Sequence, residues 1–203
     1  MGKMDEIIIV APRDVVFENE SLTFQGVNSD ELSVKKIVDN ISSSYSEMRR
    51  GDAEENELFK QPIPYCVLKR GYEFYVYKRL TGGGETRLHN QLSLGVGGHM
   101  NDTNRVTFQS LMMDNLQREL DEELNIQTEQ KFEFNVVGLI NDDLNEVGKV
   151  HVGLLVVAEL PLDAEVTVRE TDQLEGFWVN IKDLKDVYKN LESWSQYISD
   201  LYI

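Results

Sequence analysis

Sulfur chemistry is nearly absent from this chain: one cysteine, Cys66, occurs in 203 residues, which excludes an internal disulfide and a thiolate metal cluster. No apolar run is long enough to cross a bilayer. The first residues lack the apolar stretch of a secretory signal, and Asp5-Glu6-Ile7 lacks the hydroxyl residue that would make Gly2 a myristoylation site. A cytoplasmic protein without membrane attachment is expected. There is no Ser/Pro/Gly-rich linker, repeat or low-complexity tract. Basic residues are scarce, 20 Lys and Arg against 36 Asp and Glu, a formal charge of −16. That field opposes nucleic acids and anionic membranes, so neither is expected as a partner. It equally opposes a phosphorylated substrate, which a divalent cation and locally placed arginines would have to draw in.

What is present is enough for a core. Hydrophobic residues make up 41%. Periodicity predicts a strand over 6–10, a hairpin return at Val15-Val16-Phe17, and a helix over 29–50 capped at Ser29-Asp30. Residues 51–56 read as a polar loop. Strands are predicted over 63–68 and 72–79 around a Lys69-Arg70-Gly71 turn, with Leu92-Ser93-Leu94 leading to the glycine loop Gly95-Val96-Gly97-Gly98-His99. A helix over 108–124 carries the apolar stripe Met112, Leu116, Leu120 and Leu124. Strands follow over 132–140, 150–160, 165–169 and 177–179, then one amphipathic helix over 182–203. Mostly antiparallel strands with a central and a terminal helix predict an α/β sandwich with a mixed sheet.

The most informative segment is Arg118-Glu119-Leu120-Asp121-Glu122-Glu123-Leu124-Asn125-Ile126. Its glutamates at i, i+3 and i+4 share one helical face, where like charges repel unless a cation neutralises them. Carboxylate oxygens are hard ligands that suit Mg²⁺ or Mn²⁺. The glycine loop upstream lets backbone come close to a metal or phosphate.

Together these segments resemble the two ends of a Nudix box. The second half matches at Arg118, Glu119, Leu120, Glu122, Glu123 and Ile126, with Asn125 in place of a glycine that calls for left-handed backbone. The first half departs from the pattern: counting back from Arg118, the box glutamate falls on Ser110 and the box glycine on Asn104. Further pieces, Phe24-Gln25-Gly26, 60–65 and 93–101, are similar to a Nudix branch described as predicted phosphoesterases.

The resemblance implies a Nudix-type α/β/α sandwich with a mixed central sheet. Residues 1–58 would be an N-terminal strand/helix extension packed on a 59–203 hydrolase domain. It implies Mg²⁺ or Mn²⁺ held by Glu119, Glu122, Glu123 and the Gly97 carbonyl. One of these three glutamates would orient or deprotonate the attacking water, with Glu119, Glu122 and Arg118 as the catalytic residues and Arg118 holding a glutamate of the same helix in its rotamer. A homodimer is implied by the same resemblance.

Several residues keep two readings. Gly98 and His99 either touch a substrate phosphate or serve the loop. Arg79, with Lys78 and Arg87, either meets phosphates or solvates an edge strand. Glu175, with Glu170, is either a distal catalytic acid or a solvated loop residue. Asp102 and Asp114 are weak substitutes for the missing box glutamate, and Asp142 and Asp143 read as turn formers. His89 and His151 show no metal-ligand spacing and read as ordinary. Tyr65, Phe74 and Tyr75 either stack on a base or belong to the core, and Cys66 reads as a buried small hydrophobe.

The expected activity is divalent-metal-dependent cleavage of the pyrophosphate bond in a nucleoside diphosphate linked to another moiety, or in a related diphosphate. The alternative is a Nudix-fold sensor that binds a nucleotide-type ligand without cutting it. A prenyl-diphosphate isomerase is disfavoured because Cys66 falls in a strand.

Overall fold

The computed structural model of the chain describes residues 2–79, 91–169, 171 and 174–203. Strand β1 (Ile7–Pro12) leads into the one-turn helix α1 (Arg13–Val16), followed by β2 (Gly26–Asn28), α2 (Glu31–Ser44), β3 (Ser46–Arg49) and α3 (Arg50–Ala53). Next come β4 (Phe59–Arg70), β5 (Glu73–Arg79), β6 (Leu92–Ser93), β7 (Gly95–Gly97) and the long helix α4 (Phe108–Glu123). The remainder is β8 (Leu124–Gln127), β9 (Phe134–Asn141), α5 (Glu146–Val150), β10 (His151–Glu159), β11 (Glu165–Val168), β12 (Leu174–Asn180), α6 (Leu184–Val187) and α7 (Ser193–Ser199). No described helix is long and apolar enough to cross a membrane.

The chain divides into two compact units. The first comprises Met1–Tyr65, Gly97–Gln117 and Val137–Leu155. Its sheet order is β4-β10-β9-β2, with β1 pairing β3 and the start of β4. Its core gathers Ile9, Phe17, Ile37, Ile41, Met100, Leu111, Leu139 and Val152, all at most 1% exposed. Each buried side chain of this size contributes roughly 1.5–3 kcal/mol. Helix α2 joins this core through Ile37 and Ile41, four residues apart on one face. It is capped by Asp30, whose side chain accepts from Ser33 N.

A buried charge cluster ties this unit together. Lys60, fully buried, donates from Nζ to Asp143 Oδ1 (2.9 Å), Gly148 O (2.9 Å) and His151 O (3.2 Å). Arg13 forks onto Asp143 at 2.9 and 2.8 Å and onto Glu20 at 2.8 and 2.9 Å. Burial pushes the Lys60 ammonium down to about 8, against the opposing pull of Asp143. Burial raises the Asp143 carboxyl, but hydrogen bonds from Arg13, Lys60 and Asn141 outweigh it and hold the group well below the usual carboxylate range. Asp142, at the same turn, accepts from Gln25, Leu144 N and Asn145.

The second unit comprises Cys66–Val96, Arg118–Val136 and Val156–Ile203. Its order is β12-β5-β4-β10, with β6 beside β5, and β8 pairs separately with β11. The β5–β12 ladder is antiparallel from Glu73 opposite Asn180 to Arg79 opposite Leu174. Phe74, Tyr75, Val76 and Tyr77 are all buried, so β5 is covered on both faces. Cys66 is fully buried, and burial pushes its thiol far up, which makes it a small inert hydrophobe. Tyr65 is buried too, in the first unit, so Cys66 and the aromatics Tyr65, Phe74 and Tyr75 all lie in the interior.

Several local expectations are corrected. Val15-Val16-Phe17 does not return as a strand: α1 forms there, and the left-handed residues Glu18, Asn19 and Glu20 turn the chain. The helix predicted over 29–50 stops at Ser44. Ser46–Arg49 pairs instead with β1, Ile7 opposite Arg49, and the polar loop after it begins with α3. The predicted C-terminal helix is broken into α6 and α7. Leu191 takes extended backbone (φ −71°, ψ 141°) and Glu192 re-caps the chain, accepting from Trp194 N and Ser195 N. Asn125 does not take left-handed backbone; it lies in β8 opposite Thr167.

Candidate functional site

Helix α4 starts at a cap built from side chains. Ser110 N donates to Thr107 Oγ1 at 3.2 Å, and the two hydroxyls lie 2.9 Å apart. Ser110, standing where the box glutamate would be, is thus exposed and engaged in capping. Asp114 pairs with Arg105 (3.0 Å from Nη2), and Asp102 accepts from Asn104 N at 2.8 Å. Both acids therefore serve the loop that leads to the helix. Asn104, at the counted box-glycine position, has φ 57°, a conformation Asn tolerates better than most residues.

The loop after the glycines is fixed by one reciprocal pair. Asn115, 1% exposed, accepts from Asn101 N (2.9 Å) and donates to Asn101 O and Leu111 O (2.9 Å each). Asn101 in turn donates to Glu6 Oε1 and Ile7 O. Gly97 is required by close approach: a Cβ there would sit 2.5 Å from Pro64 O, closer than real contacts allow. In the second unit, Tyr77 Oη donates to Gly95 O at 2.9 Å and supports the strand that leads into the glycines.

At its C-terminal end α4 carries the acids. Arg118 Nη1 lies 2.7 Å from Glu119 Oε1 and 3.4 Å from Glu122 Oε1. Glu119 is 14% exposed at its side chain and Glu122 60%, so Glu119 is the inner member and Glu122 the rim. Glu123 places Oε2 in the interior, where an ionised oxygen needs positive charge nearby. The helix end is anchored by Arg169, whose N–H donates to Glu123 O (2.8 Å) and whose Nε donates to Leu124 O (2.7 Å). Arg118 bridges two of the three carboxylates, and all three offer hard oxygen donors on one helical face. That donor set fits a divalent cation such as Mg²⁺.

The other sequence candidates are dispersed. Gly97, Gly98 and His99 belong to the first unit, whereas Arg118, Glu119, Glu122 and Glu123 belong to the second. Glu175 lies within β12, exposed, opposite Lys78 on β5, rather than in a loop before the strand. Arg79 pairs through its backbone with Leu174; its side chain, with Arg87, His89 and Glu170, lies outside the described residues.

One convergence was not legible beforehand. Glu54, His99 and His151 bring ligand atoms within 4.8 Å of one another, the one such group of three or more among the described residues. They come from the end of α3, the loop after β7 and the start of β10. A set drawn from three distant segments has no local spacing to read.

No family model matches the sequence. Protein YmaB of Bacillus subtilis (strain 168) is 54% identical over 204 residues, covering 99% of both chains. Among solved structures, Tm1382, assigned as a Nudix hydrolase, is 27% identical, covers 97% of each chain and superposes with a TM-score of 0.78. The end-to-end likeness to Tm1382, together with the mixed α/β architecture and the Arg-Glu-x-x-Glu-Glu end of α4, means that the chain belongs to the Nudix hydrolase superfamily.

Proposed function

We propose that this chain hydrolyses the pyrophosphate bond of a nucleoside diphosphate linked to another moiety, or of a related diphosphate, in a reaction dependent on Mg²⁺ or Mn²⁺. The observation that carries this reading is the acid cluster on the last turns of α4, with Arg118 bridging Glu119 and Glu122. Glu119, Glu122 and Glu123 are the residues that would hold the cation. A bound dication lowers the pKa of water and offsets charge on the phosphate oxygens.

The chain's own groups have separate tasks. Arg118 holds the carboxylate of Glu119 in one rotamer and keeps Glu122 on the same face. One of the glutamates, Glu119 or Glu122, accepts the proton from the attacking water. The water oxygen bonds to one phosphorus, the bond from that phosphorus to the bridging oxygen breaks, and the other phosphate leaves with that oxygen. The fold supplies positioning and electrostatics, which dominate catalysis of such transfers.

The test is turnover of nucleotide sugars, dinucleoside polyphosphates, NAD-type molecules and nucleoside triphosphates with Mg²⁺ or Mn²⁺. Glu119→Gln and Glu122→Gln remove charge and almost no volume. Each should reduce turnover by at least ~100-fold, since even groups that only support metal ligands cost 10–100-fold when mutated, while leaving the thermal unfolding curve in place. Undiminished activity in both variants would reject the site. Ser110 gives the sensor reading its one support, because the residue at the box-glutamate position is a capping hydroxyl. Tight nucleotide binding without turnover under every metal would favour that reading.

A further inference from the structure

We propose that Glu54, His99 and His151 form a binding site for a first-row transition-metal dication of the Zn²⁺ class, a site that shares no residue with the α4 acids. All three residues lie in the first unit. His99 Nε2 is 3.2 Å from His151 Nε2 and 3.7 Å from Glu54 Oε1. Two ligands about 2.0–2.1 Å from one Zn²⁺ at a tetrahedral angle stand roughly 3.3–3.4 Å apart. The two separations from His99 bracket that value, and all three ligand atoms lie within 4.8 Å of one another, so one ion can be reached by all three.

The surroundings are those of a prepared site. His151 Nδ1 lies 2.6 Å from Val147 O. A carbonyl only accepts, so Nδ1 carries the proton and, in the neutral ring, Nε2 presents its lone pair to the cluster. Metal-bound histidines are commonly oriented by this kind of contact. The backbone of His151 is held as well, because its carbonyl accepts from the buried Lys60. Arg50 Nε lies 3.5 Å from Glu54 Oε1, a charge contact without a hydrogen bond.

A buried residue sets the state of His99. Gln61 is fully buried, its Oε1 stands 2.7 Å from His99 Nε2, and its Nε2 has no hydrogen-bond partner among the described residues. An amide oxygen only accepts, so without metal Nε2 of His99 carries the ring proton, and binding an ion there requires that proton to move to Nδ1. Retaining Gln61 beside the two rings is reasonable where it has to orient a group that changes its bonding on metal uptake.

The donor chemistry selects the ion. Two imidazoles and one carboxylate suit Zn²⁺, Co²⁺ or Ni²⁺, whereas Mg²⁺ prefers an all-oxygen octahedron. Three protein ligands leave a position for water or another oxygen donor. Because the ligands come from three elements, the ion would clasp α3, the glycine-loop exit and β10, and so stabilise the folded chain over the unfolded one.

The experiment uses the full chain in saturating Mg²⁺, which fills hard oxygen sites, and adds Zn²⁺ or Co²⁺ alone. The expected result is one tightly held equivalent of Zn²⁺ per chain, a visible ligand-field spectrum with Co²⁺, and a higher melting temperature. Glu54→Gln and His151→Gln should weaken uptake at least ~100-fold and abolish the melting shift, while Glu122→Gln keeps both. Should a variant fail to fold, the imidazole ¹⁵N resonances of the wild-type chain decide: Zn²⁺ must move the Nε2 signals of His99 and His151. Unmoved signals, uptake that survives in the folded triad variants, or uptake lost only in Glu122→Gln each overturn the proposal without touching the hydrolase reading.

Discussion

Asp143 receives charged hydrogen bonds from two cations, one of them a lysine with no exposure at all. Removing the carboxylate leaves Lys60 buried beside neutral carbonyls and Arg13 with Glu20 alone. Breaking a buried pair from one side is costly because the remaining charge is uncompensated. Asp143→Asn should therefore lose about 3 kcal/mol, the low end for such pairs because Asp143 is partly exposed; urea unfolding at neutral pH measures it. The pH dependence has a definite sign. The folded Asp143 carboxyl lies below its ordinary 3.8, so its contribution is complete above that value and fades as pH falls through the folded one. Lys60 has the same sign in a higher window: its folded value of about 8 lies below 10.5, so between those values the unfolded chain binds more protons and this group's share of stability rises with pH. Asp143→Asn should flatten the acid limb of the stability profile; an unchanged limb would assign acid sensitivity to other carboxylates.

Among elements, α4 was the most legible. Its stripe Met112, Leu116, Leu120 and Leu124 is 4, 0, 2 and 2% exposed, and its boundaries differ from the expectation by one residue. A long amphipathic period records burial in its own sequence. The terminal segment was less legible, because its apolar residues keep helical spacing across a break set by Leu191 and the Glu192 cap. The acids were read from local spacing on one helix. Glu54 and His151 were not, because only the tertiary fold brings them to His99. The Asn101–Asn115 pair was also silent in the sequence, yet it governs how α4 holds the glycine-loop exit. Asn115→Leu keeps the apolar environment but leaves Asn101 N–H and C=O in need of new partners. We expect a loss of about 2–3 kcal/mol, one unsatisfied buried group costing roughly 1–3. Amide exchange at Asn101 should accelerate with it. Retained protection at that amide would show that the loop is held by its bonds to Glu6 and Ile7 instead.

For the molecule as a whole, the formal charge of −16 sets a long-range field that a diphosphate must cross. Steered association between opposite charges slows with added salt, and the inverse holds for like charges. At fixed free Mg²⁺, raising ionic strength from about 10 mM to about 150 mM shortens the screening length from roughly 30 Å to roughly 8 Å. Repulsion beyond contact range then fades, whereas cation–phosphate contacts inside the site are screened much less. If the proposed substrate class is right, kcat/KM should rise severalfold over that range, with kcat nearly constant because the chemical step occurs after the field has been crossed. The competing expectation is a fall in kcat/KM. That outcome would mean a local cationic surface dominates approach, and it would turn attention to the lysines and arginines around β5. Lys78→Gln then separates the two cases: its side chain is half-buried opposite Glu175, so it should leave the salt dependence unchanged if the global field governs and reduce the low-salt rate if the local surface does.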